Sequence, residues 1–246
     1  MKQRKTKIIL TTIIMSIMLV INNPAMALEP TFMFLHESVG ENLVNRGNVR
    51  SLLTQAIPQA VFYDWVTIYG HNDVLYLYNY FLGDSSHKQQ MLDMADIIVF
   101  KSCYTAGGLN WHTDEEILAY RAMYTEIINE LRTIDDHIFI MIGYVPYREV
   151  HITPERALLN WEFHLWLEQQ AGGNVFFFDY YRQMIDEDLY LVDEYENQYN
   201  IDAHPNSYSD SIMGPIFVDF IVNFYLNSGI SPVETATWGK IKKLFK

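Results

Sequence analysis

The chain has 246 residues, half of them apolar and 15% aromatic, with a formal net charge of −13 and a single cysteine. Such acidity repels phosphate backbones and anionic membrane surfaces, which argues against nucleic-acid binding and leaves a neutral or cationic substrate as the easier partner. One cysteine, Cys103, allows no internal disulfide. With no cysteine pair and no His-x-x-x-His spacing, no zinc site or other cofactor is expected.

The first 27 residues read as a secretory leader. Lys2, Arg4, Lys5 and Lys7 precede a short apolar run, Ile8 to Ile21, and Ala25-Met26-Ala27 supplies the small residues of a cleavage site. The apolar run is shorter than the ~20 residues of a membrane span, so an exported protein without stable membrane insertion is expected. Cleavage after Ala27 leaves 219 residues (246 less 27) and lowers the net charge to −17 (−13 less the leader's 4 basic residues). That length suits one α/β domain, residues 28–230, followed by a short basic tail, 231–246.

Five apolar runs predict strands: Thr31–His36, Ala60–Val66, Asp96–Lys101, His137–Gly143 and Asn174–Asp179. Several are apolar almost throughout, as in Ile97-Ile98-Val99-Phe100 and Val175-Phe176-Phe177-Phe178. Continuous apolar runs suit strands buried on both faces of a parallel sheet. Helical segments alternate with them: Glu41–Ile57, His87–Met94, Asp114–Arg132, Pro154–Gln170 and Ser211–Leu226. Thr113 or Asp114 is a plausible N-cap, Pro154 suits a first helical turn, and Gly172-Gly173 follows the fourth helix. The alternation predicts βαβ units and a doubly wound sheet. Residues 180–200, polar, acidic and rich in Tyr, read as a surface excursion. The tyrosines of 76–80 read as core or interface aromatics, with stacking on a sugar as the alternative.

Ligands of an open parallel sheet bind beyond the carboxyl ends of its strands. Five groups of candidate residues fall there: Ser38; Gly70, His71, Asn72 and Asp73; Ser102, Cys103 and Tyr104; Tyr144, Pro146 and Tyr147; and Asp202 with His204. Ser38 leaves a strand and enters a helix, where its Oγ either faces the rim beside backbone N–H groups suited to an oxyanion or merely caps the helix. Pro205 restrains the loop of His204, and Asp202 is near enough in sequence to bond the imidazole Nδ1, leaving Nε2 to take the Ser38 proton. His112, His151 and His164 have no partner spacing and read as surface or packing histidines.

This order of residues resembles the SGNH/GDSL hydrolase superfamily of esterases and acetylesterases, over about residues 31–228. Ser38 after the first strand matches that family's nucleophile, and Asp202, His204 and Pro205 match its late Asp/His loop. The resemblance implies a flavodoxin-like three-layer α/β/α sandwich with a five-stranded parallel sheet. It also implies an oxyanion hole that takes one donor from the Ser38 backbone and one from Gly70. Three departures stand out. His36-Glu37-Ser38 replaces the usual Gly-Asp-Ser, Asp202-x-His204 is one residue shorter than Asp-x-x-His, and no Gly-x-Asn-Asp follows the third strand. The literal Gly70-His71-Asn72-Asp73 follows the second strand instead, so either Asn72 or Ser102 supplies the remaining donor, or the hole lacks it. The reading adopted is Gly70 and Asn72.

The expected function is thus exported serine ester hydrolysis of a short acyl group, acetyl above all, on a small molecule or a carbohydrate. A non-catalytic carbohydrate-binding or surface-assembly protein on the same fold, or an O-acyltransferase, are the alternatives.

Overall fold

β1 (Thr31–His36), β3 (Ile97–Phe100) and β4 (Ile138–Ile142) are apolar runs, and almost every residue in them is buried. Only the centre of a sheet covered on both faces accommodates such strands. β2 (Val61–Val66) carries Asp64 mid-strand and β5 (Val175–Phe178) is only partly covered, as befits edges. All neighbours pair in parallel, and the order is β2-β1-β3-β4-β5. The structure, a computed structural model, describes residues 29–36, 38–66, 74–83, 86–101, 114–197 and 204–227. The expected leader and the basic tail lie outside them.

Because successive strand residues face opposite ways, the sheet has two cores. Phe32, Phe34, Val99 and Ile140 pack with Leu43, Leu53, Met213 and Phe217. These come from α1 (Val39–Asn45), α2 (Val49–Ala56) and the last helix. Met33, Leu35, Ile98 and Phe139 face the other way, against Leu77, Met91, Ile127 and Phe163. Their helices are α3 (Val74–Leu82), α4 (Ser86–Met94), α5 (Asp114–Leu131) and α6 (Pro154–Gln169). The last helix is α7 (Ser207–Asn227). The expected three-layer α/β/α sandwich with a five-stranded parallel sheet is what the chain forms. No helix among the described residues is long and apolar enough to cross a membrane.

Three expectations need correction. The single helix predicted over 41–57 is two, α1 and α2, broken where Asn48 takes φ 56°. The break lies where α1 meets α7 backbone to backbone: a Cβ on Gly214 would stand 1.9 Å from Gly47 O, and one on Gly47 would stand 2.9 Å from Asp210 O. α7 begins at Ser207 rather than Ser211, because Asn206 Oδ1 accepts from Ser209 N at 2.9 Å and caps the added turn. Residues 180–200 are not simply a surface excursion, since Tyr180, Tyr181, Met184 and Leu191 are all buried.

Candidate active site

The strand order reverses at β1, whose neighbours β2 and β3 lead to opposite ends of the sheet. A crevice opens beyond the carboxyl end of the strands at such a point, and Ser38 sits there, between β1 and α1. Its backbone has φ 48° and ψ −105°. A non-glycine residue in this region is strained, and a sharp strand-to-helix turn of this kind lifts a serine hydroxyl out of the chain. Ser38 O accepts from Asn42 N at 2.9 Å and opens α1, but its side chain makes no capping bond.

That side chain is instead in hydrogen-bond contact with His204 Nε2, 166 residues away in sequence. Both residues are half-buried. Of the alternatives open to Ser38 in sequence, capping is therefore not the one its hydroxyl takes. Asp202, Gly70, Asn72, Ser102 and Cys103 lie outside the described residues, as does His112.

The turn under Ser38 is held from the sheet side. His36, the last residue of β1, is 1% exposed, and its Nε2 contacts Asp64 Oδ1 on β2. Arg50 Nη2, from α2, donates to Asp64 Oδ2 at 3.0 Å. Gly40 lets the first turn of α1 close over this imidazole, since a Cβ there would stand 2.4 Å from His36 Cβ.

The His204 loop is held from the other side. Pro205 bridges Glu196 in antiparallel fashion, and Asn206 N donates to Tyr195 O at 2.8 Å. Asn206 Nδ2 donates to Glu194 O and Glu196 O, both at 2.8 Å. Glu196 Oε2 accepts from Arg148 Nη2 at 2.6 Å. Arg148 is itself buried and ends a wholly buried run that continues β4. Of these supports only Pro205 was read from the sequence. Among the rest, Asn206 alone carried a signal, as a helix-capping residue type next to His204-Pro205.

Between the two helices that leave Ser38 and His204 lies Asp210, with no exposed surface. Neither of its carboxyl oxygens has a hydrogen-bond partner among the described residues, and Arg46 Nη1 stands 3.7 Å away. Burial pushes this carboxyl up to about 7, with Arg46 pulling the other way. Burial, with the Asp210 charge adding to it, also raises the neighbouring Tyr180 phenol far above its ordinary range.

A second histidine–carboxylate pair lies at the ends of β4 and β5. His164 is fully buried, with Nε2 2.9 Å from Asp179 Oδ1 and Trp161 stacked on its ring at 5.5 Å. It is a packing histidine, as expected, but one set against a carboxylate. Burial pushes Asp179 up, and the His164 and Arg182 contacts more than offset this, holding it below the usual carboxylate range. His164, Glu168 and Asp179 bring donor atoms within 4.8 Å of one another, enough to consider a metal. Arg182 already bonds both carboxylates, at 2.5 Å to Asp179 and 2.9 Å to Glu168. The cation these acids require is thus a guanidinium, and the group is a structural network.

No family model matches this sequence, and no curated protein matches it. Among solved structures, the chain is similar to a protein of Bacteroides fragilis described as a "putative acylhydrolase". The TM-score is 0.52 at 14% identity, over 81% of this chain and 89% of that one. At that identity the likeness establishes a shared α/β fold and no more.

Proposed function

We propose that this protein is an exported serine esterase of the SGNH type, acting on short-chain and above all acetyl esters, with carbohydrate esters as the substrate class to test first. The observation that carries the reading is the contact between Ser38 Oγ, on a strained turn at the topological switch point, and His204 Nε2. The fold shared with an acylhydrolase-like protein supports it.

In this mechanism Ser38 Oγ attacks the ester carbonyl carbon while its proton passes to His204 Nε2. Asp202 holds the imidazole in the tautomer that leaves Nε2 free. The tetrahedral oxyanion is bound by the Ser38 N–H, with Gly70 and Asn72 as the further donors. Collapse expels the alcohol, which takes the proton from His204. Water then enters, gives its proton to the same nitrogen, and cleaves the acyl-enzyme to release the acid and restore Ser38.

The test is labelling of the purified protein by a fluorophosphonate, together with p-nitrophenyl acetate hydrolysis. Removing either member of such a pair costs roughly 10⁴-fold or more in turnover, so Ser38→Ala should abolish both readouts and His204→Gln nearly so. A wild-type protein that neither labels nor turns over would favour the non-catalytic carbohydrate-binding reading, which the shortened Asp202-x-His204 spacing and the lack of a Gly-x-Asn-Asp after β3 also fit. Product analysis with a competing sugar acceptor separates hydrolysis from acyl transfer, and fractionation of the producing cells tests export.

A further inference from the structure

His204 is held against Ser38, yet it belongs to no helix or strand. Its neighbours Pro205 and Asn206 are fixed by the 194–196 segment through a backbone bridge, to which the Asn206 N–H bond to Tyr195 O belongs, and two further hydrogen bonds from Asn206 Nδ2. That segment is short: a single 3-10 turn, Asp193–Tyr195, followed by Glu196. Glu196 ties it to the body of the fold, where Arg148 Nη2 bonds its carboxylate at 2.6 Å. Arg148 has 6% of its side chain exposed and Glu196 20%. Separating a buried pair strands a charge away from water, so this contact resists opening far more than a surface ion pair would. A continuous path therefore runs from the end of β4, through Arg148 and Glu196, to the backbone beside His204.

We propose that Arg148 and Glu196 are positioning residues for His204, their ion pair setting the reach of the imidazole to the Ser38 hydroxyl. The catalytic consequence rests on the serine-esterase reading; the positioning itself does not. The described contact of these side chains is with each other, and that of the reacting pair is between Ser38 and His204. Breaking the pair releases the 194–196 segment and lets the imidazole drift, and misplacement by about 1 Å can cost roughly 10²-fold in rate.

The experiment compares wild type with Arg148→Met, Glu196→Gln, the conservative Arg148→Lys, and Phe81→Leu as a core control on the opposite face of the sheet. Three readouts are taken: melting temperature, the second-order rate of fluorophosphonate labelling, and the ¹³C–¹H signal of the His204 ring, assigned with His204→Gln. Arg148→Met and Glu196→Gln should move the His204 signal and slow labelling by roughly 10²-fold. Arg148→Lys should recover most of both. Phe81→Leu should lower the melting temperature and leave both unchanged. An unmoved His204 signal with wild-type labelling in the folded variants overturns the proposal, and so does an equal change in Phe81→Leu. Where Arg148→Met fails to fold, the isosteric Glu196→Gln decides. If wild type does not label at all, the esterase reading falls, and the His204 signal alone decides the positioning role.

Discussion

Replacing Asp210 with Asn should shift stability in the variant's favour as pH rises, leaving it the more stable protein at neutral pH and above. Asp210 is fully buried between α1 and α7, its oxygens without hydrogen-bond partners among the described residues, and its carboxyl is pushed up to about 7. In the unfolded chain an Asp titrates near 3.9. Below about pH 4 both states hold the proton, and the group contributes nothing. Between about pH 4 and pH 7 the unfolded chain has released it while the folded one keeps it, so folding stability falls as pH rises. Above the folded value both are ionised and the penalty is complete. A gap of about 3 units at about 1.4 kcal/mol each gives roughly 4 kcal/mol. The groups facing Asp210 are Arg46 at 3.7 Å, which opposes this, and the Tyr180 phenol. Asn brings its own amide without a partner, a pH-independent cost of about 1–3 kcal/mol. The signature is therefore the change in the wild-type-to-variant difference between pH 4 and pH 8, not its size at one pH. Urea unfolding of both proteins across that range measures it. A difference that stays flat with pH would refute the reasoning, since Asp210 would then be as readily ionised folded as unfolded.

Three further outcomes are expected. Gly214→Ala places a methyl group 1.9 Å from Gly47 O, so α1 and α7 must separate, with a loss of about 3 kcal/mol or more in a denaturant melt. Asn206→Ala removes the cap of α7 and two bonds to the 194–196 segment, lowering stability by about 1–2 kcal/mol and slowing fluorophosphonate labelling. Ser38→Gly should remove labelling and yet raise stability by about 1 kcal/mol, because glycine adopts φ 48° without a Cβ clash; a destabilised Ser38→Gly protein would show that the turn is not strained.

The sheet was legible because its three central strands are apolar on both faces, a pattern that needs no tertiary information. The boundaries of β1 were read to the residue, and those of the others to within one. α3 was missed: Val74–Leu82 is apolar and aromatic almost throughout, with little polar face to mark helical period, and Asn72 and Asp73 before it were read as rim residues rather than as a helix start. The split of α1 from α2 was hidden because its cause is a contact between Gly47 and Gly214, far apart in sequence. Ser38 and His204 were legible because the strand pattern places both on one rim, and chemistry then singles out a hydroxyl and an imidazole. Arg148, Glu196 and Asp210 carried no local signal. An arginine after a strand and an acid in a polar stretch look solvated until the fold buries them against each other.

The contact between Ser38 and His204 joins the end of the first described strand to the threshold of the last described helix. A partly folded chain, with β1 through β5 assembled and α7 still undocked, therefore carries an ordinary alcohol at its rim. If Ser38 is the nucleophile proposed above, labelling followed during refolding should time the arrival of α7.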